Sequence, residues 1–412
     1  MVKEKRFTNR VIWILTCTLF VFFVIFRTYL WGKYFLLAVS VAIFLLSLIG
    51  SKGKIFIGIH SYHKFMLIFI AYTLISSLWA LNSNDSITQA VTLFLILICA
   101  SMLYCHYIRF DSVHQILTAI MWAGFIVSIY SIMYYGVDVV IEALYSRRLA
   151  KGFDNVNSLA LFLAVCCTIQ ASEFINKRRR LLVAIMMIPE VLVIAATQSR
   201  TALVYLVLGV VGVYFLNCFD LKSAKKTIKT VLILFVICIV ILYAMTSITA
   251  FSGISNRLMS LFNSFTGEGE VDHSTQERNA MISLGWQYFL KNPFCGIGIG
   301  CPHILNAEYI GHDAYLHNNF VELLCGGGIF GFIAFYSRYI YIFVNLIKYR
   351  KADKEHFCVC FVLLFSMIIS EWGSVTYLEK LPNYYFLMQI LNIQCLKSKA
   401  RSVAGDENPK IV

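Results

Sequence analysis

Charged residues are scarce in this chain. Asp, Glu, Lys and Arg make up only 14% of its 412 residues, while hydrophobic residues make up 59%. A soluble globular domain is roughly a quarter charged, so the mean hydropathy of +0.74 favours a polytopic membrane protein. Proline is also scarce, with five residues, and no proline-rich linker, low-complexity segment or internal repeat divides the chain. We therefore predict one transmembrane domain over residues 1–396 and a polar cytoplasmic tail over 397–412.

The net charge of +13 does not indicate a nucleic-acid partner. The Lys and Arg residues lie in short clusters between apolar runs, which is typical of the positive-inside rule. The thirteen cysteines mostly lie inside apolar runs, where cysteine behaves as a small hydrophobic residue. We therefore predict no nucleic-acid binding.

One stretch concentrates residues that can bind metals, but their spacing matches no standard zinc pattern. The chain also contains no Asp-x-Asp pair, and we predict neither a metal site nor another cofactor. Whether Cys295 and Cys301 form a disulfide stays open. The six residues are Cys295, Cys301, His303, His312, Asp313 and His317.

Apolar runs long enough to cross a bilayer, with about 20 residues each, predict about twelve transmembrane helices. The basic start over 3–10 precedes an apolar run without a cleavage site, so we interpret this run as the first span rather than a signal peptide. Most Lys and Arg residues fall on the inner side when both termini are cytoplasmic. The predicted spans cover about 11–26, 34–50, 65–81, 87–107, 113–135, 157–175, 181–198, 201–217, 230–250, 329–348, 357–373 and 376–396.

A large outer-face region over about 251–328 separates spans nine and ten, and we predict that the chemistry takes place there. Residues 315–350 as one helix would measure about 54 Å at about 1.5 Å per residue, against a bilayer core of about 30 Å. Because consecutive glycines at 326–328 weaken a helix, we predict a short helix at about 315–325 on the outer face. A span then begins near Ile329, and the glycines over 296–300 form a tight turn.

Three polar motifs lie where helices begin at the outer face. We expect Asn155 or Asn157 to cap span six, Ser199 to cap span eight, and Asp313 or a nearby residue to begin the short helix that carries His317. A helix start offers free N–H groups and a positive dipole end, which together with arginine suits phosphate. We therefore expect one polyanionic group to be bound jointly by Arg148, Arg200 and Arg278. The alternative is that such arginines extend to lipid headgroups.

His317 is the candidate general base, because a neutral imidazole accepts a hydroxyl proton at neutral pH. The alternative is a histidine at a helix end that is bonded only to backbone. Glu322 is the other candidate for the base, and the alternative is that Glu322 holds the base or a sugar hydroxyl.

A set of residues recurs in a fixed order and spacing over about residues 140–350. Its members are Arg148, Lys151, Gly152, Phe153, Asn155, Asn157, Ser199, Arg200, Thr201, Ala202, Arg278, Trp286, Asn292, Pro293, Phe294, Gly296, Gly298, Gly300, His317, Asn318, Gly328 and Gly331. No single motif is specific, but the ordered set resembles the O-antigen ligase and O-antigen polymerase family of bacterial membrane glycosyltransferases. Val156 departs from the proline that is frequent in the family, and the pair Gly326-Gly327 from a more ordinary helical pair.

The resemblance implies an all-α fold of the membrane glycosyltransferase C class. It also implies metal-independent glycosyl transfer from an undecaprenyl-pyrophosphate-linked glycan at the outer face of the bacterial cytoplasmic membrane. His317 would activate the acceptor hydroxyl, while Arg200 and Arg278, with Arg148, would hold the pyrophosphate. The other predicted contacts to pyrophosphate and glycan are Lys151, Asn157, Asn318 and Glu322.

The compact outer region without an added acceptor domain favours a polymerase that joins lipid-linked repeat units into a surface polysaccharide. A ligase that transfers the glycan to a lipid A core or another acceptor is the alternative. The expected partners are the lipid-linked donor, the glycan acceptor, membrane lipids, and a chain-length regulator and flippase of the same pathway. A solute transporter, with Glu190, Arg338 and Glu371 as intramembrane charges, is the alternative of another class.

Overall fold

A computed structural model describes residues 2–27, 31–53, 58–108, 113–150, 152–153, 155–218 and 273–403. Throughout these ranges the ordered elements are α-helices, with no strand, so the predicted all-α fold is confirmed. The helices are α1 (Val2–Ile25), α2 (Gly32–Gly50), α3 (Ser61–Ser76), α4 (Ser83–Tyr107), α5 (Val113–Tyr135), α6 (Val137–Tyr145), α7 (Val156–Ile175), α8 (Arg180–Thr197), α9 (Arg200–Cys218), α10 (His273–Lys291), α11 (Pro302–Tyr309), α12 (Asn319–Tyr349), α13 (Lys354–Ser370) and α14 (Lys380–Val403).

Seven of the described helices are long and apolar enough to cross a membrane: α1, α4, α5, α7, α8, α9 and α12. Helix α2 is a shorter apolar helix, and α3, α13 and α14 coincide with the predicted third, eleventh and twelfth spans to within about a turn or two. The predicted ninth span, 230–250, lies outside the described residues, as does much of the outer region. The chain is a polytopic membrane protein, and the total of twelve spans stays a prediction.

Helix α7 lies at the centre of the bundle. Nearly every residue from Leu159 to Glu173 is buried, and α7 packs on α5, α8, α9 and α13. A helix that is apolar on all sides suits such a position, because each face contacts another helix rather than lipid or water. The first turn of α7 is therefore held in the middle of one end of the bundle.

The basic helix ends that the sequence assigns to the cytoplasmic side lie together at the other end of the bundle. Arg178, just before α8, pairs with Glu355 at the start of α13 at 2.9 Å. Lys399 of α14 pairs with Asp353, the N-cap of α13, at 2.7 Å. The start of α7 and the end of α8 consequently lie at the opposite end, away from these basic clusters.

The predicted glycine break is present within α12. Gly328 has φ 58° and ψ −164°, which interrupts the helix and divides it into two parts. The turn after α10 hydrogen-bonds to both sides of the break: Ile297 N donates to Cys325 O at 3.0 Å, and Gly298 N donates to Gly326 O at 2.8 Å. In return, Ile329 N donates to Pro293 O at 2.8 Å. The tight turn and the break are therefore one hydrogen-bonded unit.

Two details of this region differ from the prediction. The first part of α12 begins at Asn319 rather than near 315, because Asn318 and not Asp313 caps it. His317 thus lies just before the helix rather than on it. The first part is also largely buried rather than a surface helix. In addition, α14 extends to Val403, so the start of the predicted polar tail is helical.

We expect Gly328→Ala to prevent normal folding. An added Cβ would lie 2.3 Å from the carbonyl carbon and oxygen of Phe294, and the positive φ alone costs an L-residue about 1–2 kcal/mol. The measurement is the yield and thermal unfolding midpoint of the purified protein in detergent. Gly53→Ala is the control, because Gly53 has φ 75° with nothing within 4 Å of the added Cβ. Equal, small effects of both substitutions would contradict the role of the Gly328 contact.

Candidate active site

A cavity of about 650 Å³ opens at the end of the bundle where α7 begins. Four predicted site residues line it, from four separate segments of the chain: Arg148, Asn157, Arg278 and His317. The complete described lining is Ser146, Arg147, Arg148, Leu149, Ala150, Asn155, Val156, Asn157, Gln198, Arg278 and His317. The structure therefore brings together most of the residues that the sequence motifs singled out.

The segment that carries Arg148 is attached to the end of α8. Leu149 N donates to Ala196 O at 3.2 Å, and the Gln198 side-chain amide donates to the carbonyl oxygens of Ala143 and Ser146. Leu149 is buried in a small apolar cluster between α6, α7 and α8. Arg148 itself is exposed and lines the cavity. The hydrogen bonds of the neighbouring residues fix the backbone that carries it.

The first turn of α7 forms another part of the wall. Asn155 caps the helix, with its side-chain oxygen accepting from Asn157 N at 2.9 Å, as predicted. Val156, at the position where the related family frequently has proline, is buried and begins the helix without distortion. The positive end of the α7 dipole thus points into the end of the bundle where Arg148 and Arg278 lie.

Arg200 and Arg278 are connected through α10. Arg200 is the first residue of α9, directly after Ser199, and it is half-buried. Its Nη2 donates to Thr275 Oγ1 at 3.0 Å. Thr275 lies one turn before Arg278, on the same side of α10. Arg200 borders the cavity rather than lining it, two residues after Gln198.

His317 lies at the cavity in a left-handed backbone conformation, with φ 56°. Its ring centroid is 4.5 Å from that of Tyr315. Burial, then the Arg278 guanidinium and then His312 lower the pKa of His317 to about 4. The imidazole is consequently neutral at pH 7, as proton abstraction requires.

Asn318 and Glu322 hold the backbone beside His317 instead of facing the cavity. Asn318 Oδ1 accepts from Val321 N at 3.1 Å, and its amide donates to Trp372 O at 3.4 Å. Glu322 is buried, and its Oε2 accepts from Leu316 N at 2.8 Å. Both side chains are thus engaged with backbone, because helix α12 needs a cap and a buried Leu316 N–H needs an acceptor, and their predicted contacts to substrate stay predictions.

Lys151 lies outside the described residues. Sequence reasoning missed Gln198 and Tyr315 as site residues. Gln198 belongs to the motif that contains Arg200, but its role depends on a left-handed backbone (φ 49°) that turns its amide toward α6. Tyr315 precedes His317 by two residues, and only the unusual backbone of His317 brings the rings together.

A family model described as O-antigen ligase matches residues 181–336 of the chain. This segment of the chain is similar to the O-antigen ligase family. The resemblance drawn from the motifs is thereby confirmed over that segment. No curated protein matches the chain.

The matched segment contains Arg200, Arg278 and His317, together with the turn over 296–300 and the glycine break. Arg148 and Asn157 precede the matched segment, yet they line the same cavity as Arg278 and His317. The cavity is therefore assembled from the matched segment and from the first turn of α7, with the residues before it.

The cluster of potential metal ligands is divided in the structure. His303 lies between Asp313, at 2.7 Å from its Nδ1, and Asp85 of α4, at 3.2 Å from its Nε2. Burial alone would lower the pKa of His303, but the hydrogen bonds to Asp313 and Asp85 outweigh it and raise the pKa. Cys295 and Cys301 are both free thiols. Among the described residues, no group of three or more His, Cys, Asp or Glu side chains forms a metal site.

The three charges that would serve a transporter each have local contacts. Glu190 accepts from the Gln170 amide at 2.8 Å. Arg338 donates to Asn383 at 3.0 Å, with its guanidinium stacked on the rings of Phe335, Tyr339 and Phe386. Glu371 accepts from the hydroxyls of Tyr336, Tyr339 and Thr376. The contacts of Arg338 and Glu371 join neighbouring helices, while Nε and Nη2 of Arg338 have no hydrogen-bond partner among the described residues.

We expect His317→Gly to unfold at a higher temperature than His317→Ala, by an amount that corresponds to about 1 kcal/mol, since only glycine adopts φ 56° without strain. Thermal unfolding of the two purified variants in detergent measures the difference. The same pair of substitutions at exposed His312, which is not among the positive-φ residues, should give the opposite order. An alanine variant as stable as the glycine variant at 317 would contradict the strained backbone.

Proposed function

We propose that the chain is a polymerase that joins undecaprenyl-pyrophosphate-linked oligosaccharide repeats into a surface polysaccharide. The observation that carries the proposal is the meeting of Arg148, Arg278 and His317 in one cavity at the start of α7. The family is associated with O-antigen ligase activity, which is glycosyl transfer. The neutral imidazole beside two guanidinium groups supports a base and an anion-binding wall in this cavity. The site would face the outer side of the bacterial cytoplasmic membrane, with both termini inside.

In the proposed reaction, an acceptor sugar hydroxyl attacks the anomeric carbon of the donor glycan. The hydroxyl proton passes to the neutral imidazole of His317, and a new glycosidic C–O bond forms. The C–O bond between the donor sugar and the pyrophosphate breaks, and the bonding electrons leave with undecaprenyl pyrophosphate. The protonated His317 then returns its proton to water.

The leaving pyrophosphate gains negative charge in this step, and positive groups around it lower the barrier. Arg278 and Arg148 would bind its oxygens from two sides of the cavity, with the N–H groups at the start of α7 between them. Arg200 would add charge from its position beside Thr275. Guanidinium groups thus take the part that a divalent cation has in other phosphate sites, and Lys151 and Asn157 would complete the contacts.

Pyrophosphate binding would also activate the base. After burial, Arg278 is the next contribution to the low pKa of His317, because a positive neighbour disfavours imidazolium. A bound anion between them offsets that effect and raises the basicity of His317. Proton abstraction by His317 is consequently favoured after the donor has bound. Before that, the low pKa keeps the His317 imidazole unprotonated.

An O-antigen ligase that transfers the glycan to a lipid A core or another acceptor is the second candidate. The description of the matching family favours it. Both reactions break the same bond and would use the same residues, so they differ in the acceptor alone. Chain-length regulator and flippase proteins of the same pathway would be partners of the polymerase.

Product analysis tests the polymerase. Purified protein in detergent is given lipid-linked repeat units as the sole substrate, and we expect products that are multiples of the repeat, resolved by electrophoresis and mass spectrometry. His317→Gln should reduce their formation by about 10²–10⁴-fold, the usual contribution of a general base. Arg278→Gln and Arg200→Gln should also reduce it strongly.

Arg10→Gln is the matched control, because Arg10 is exposed and lies on α1 at the opposite end of the bundle. Transfer of the glycan that occurs only when a lipid A core is added would instead indicate the ligase. No consumption of the repeat under either condition, or full activity of Arg200→Gln, would contradict the proposed site.

The pH dependence of kcat/KM provides a second test. His317 must be neutral, and it is neutral above its pKa of about 4. The value of kcat/KM should therefore stay level from neutral pH down to about pH 4 and fall below that pH. In contrast, kcat should begin to fall at a higher pH, because bound pyrophosphate raises the pKa of His317. In Arg278→Gln the acid limb of kcat/KM should move to higher pH. An acid limb near pH 6.5 in the unmodified protein would contradict this electrostatic account.

A further inference from the structure

A cavity of about 870 Å³ lies at the end of the bundle that carries the basic helix ends. Its walls come from α1, α5, the end of α7, the turn after α7 and the start of α8. Helices α1 and α8 both pack on α5, so α5 forms the floor between them. This cavity shares no lining residue with the candidate active site at the opposite end.

The turn between α7 and α8 brings two arginines into the wall, Arg178 and Arg179. Arg178 pairs with Glu355 at 2.9 Å and with Glu173 at 3.7 Å. Arg179 is exposed, and its side chain forms no hydrogen bond or salt bridge with any described residue. Helix α1 brings the basic start over 3–10 to the same end. The cavity mouth is therefore positive, and the guanidinium of Arg179 can bind an anion.

The backbone of this turn is unusual for the residues that it carries. Arg179 is the N-cap of α8 with φ 45°, in the left-handed region. Glycine adopts this conformation without strain, whereas an L-residue does so at a cost in free energy. Strained residues of this kind are frequent where a ligand is clamped. An arginine at a position where glycine would be more stable points to a role of its guanidinium outside the fold.

The deeper part of the cavity is apolar and aromatic. From His114 to Trp122 its wall follows α5, a rise of about 12 Å. Val183 of α8 lines it on one side and Trp13 of α1 on the other. The indole Nε1 of Trp13 donates to Thr118 Oγ1 at 3.1 Å, which fixes that ring in the wall. Tryptophan is enriched where a bilayer changes from headgroups to acyl chains, so the cavity spans that boundary.

Exposed apolar side chains border the cavity on both sides. Ile14, next to Trp13 on α1, is 55% exposed, and Leu181 of α8 is 77% exposed. In a polytopic membrane protein such side chains contact the acyl chains of the surrounding lipid. A lipid can therefore place its headgroup in the cavity while its chains stay in the bilayer.

We propose that this cavity binds the headgroup of an anionic phospholipid from the inner leaflet, given the proposed orientation with both termini inside. The phosphate oxygens accept charge-assisted hydrogen bonds from Arg179 and Arg178. The glycerol and the first methylene groups pack on Trp13 and Trp122. Basic pockets between transmembrane helices on the cytoplasmic side suit such headgroups. A free phosphate ion would leave the apolar depth of the cavity without a partner, which favours the lipid.

The experiment measures lipid binding to the full chain in detergent by microscale thermophoresis, with dioctanoyl-phosphatidylglycerol as the probe. We expect saturable binding that is tighter than binding of zwitterionic dioctanoyl-phosphatidylcholine. Arg179→Gln should weaken phosphatidylglycerol binding about fivefold, the contribution of one basic residue near an anionic membrane surface. No glycan donor is present, so the result is independent of the proposed polymerase.

Lys177→Gln is the matched control. Lys177 is exposed and left-handed, with φ 62°, in the same turn, but it does not line the cavity. It should leave phosphatidylglycerol binding unchanged. Equal losses by both substitutions would overturn the proposal in favour of attraction to the basic surface as a whole. Equal affinity of the unmodified protein for the two lipids would also overturn it, and displacement of phosphatidylglycerol by millimolar inorganic phosphate would assign the cavity to a free anion.

Arg179→Gly separates lipid binding from folding. Because glycine adopts φ 45° without strain, this substitution should not lower the thermal unfolding midpoint in detergent. It should weaken phosphatidylglycerol binding at least as much as Arg179→Gln. A lowered midpoint together with unchanged lipid binding would assign Arg179 to the fold and overturn the proposal.

Discussion

The hydrogen bonds between the break at Gly328 and the turn over 293–298 are the constraint on which the candidate site depends. Interrupting a helix in an apolar setting leaves backbone N–H and C=O groups that cost free energy unless they are paired. The turn pairs them on both sides of the break, so the chain changes direction without orphaned groups. The first part of α12 is thereby fixed against α10, and with it the loop that holds His317 relative to Arg278.

Much of this region could be predicted from sequence because its causes are local. Residues 315–350 are too long for one span, and three consecutive glycines weaken one position of it, so a break near Gly328 follows. Its pairing with the turn could not be predicted, because Ile297 and Cys325 meet through backbone atoms, which carry no sequence signal. The start of α12 also differs from the prediction. Asp313 pairs with His303, and Asn318 caps α12 instead.

The candidate site could also be predicted from the sequence only in part. Arginine and histidine beside predicted helix starts pointed to Arg148, Arg200 and His317, and Arg278 was predicted from the outer region. The structure brings Arg148, Arg278 and His317 to one cavity, and Arg200 is not among its lining residues. The polar residues nearest His317 have a structural use that residue type did not indicate. Asn318 and Glu322 lie where the chain enters α12, and there a cap and a buried acceptor are needed. Residue type alone does not distinguish the two uses, whereas the hydrogen-bond partners do.

The electrostatics of the site give a reason for an order of events under the proposed function. After burial, the Arg278 guanidinium disfavours protonation of His317, and a left-handed backbone keeps that ring at the wall beside Tyr315. The basicity of His317 would therefore rise when negative charge enters the cavity. A donor pyrophosphate would supply that charge, while an acceptor sugar alone would not. Arg278 would thus hold the leaving group and favour proton transfer once the leaving group is present, which couples binding to chemistry without a moving part.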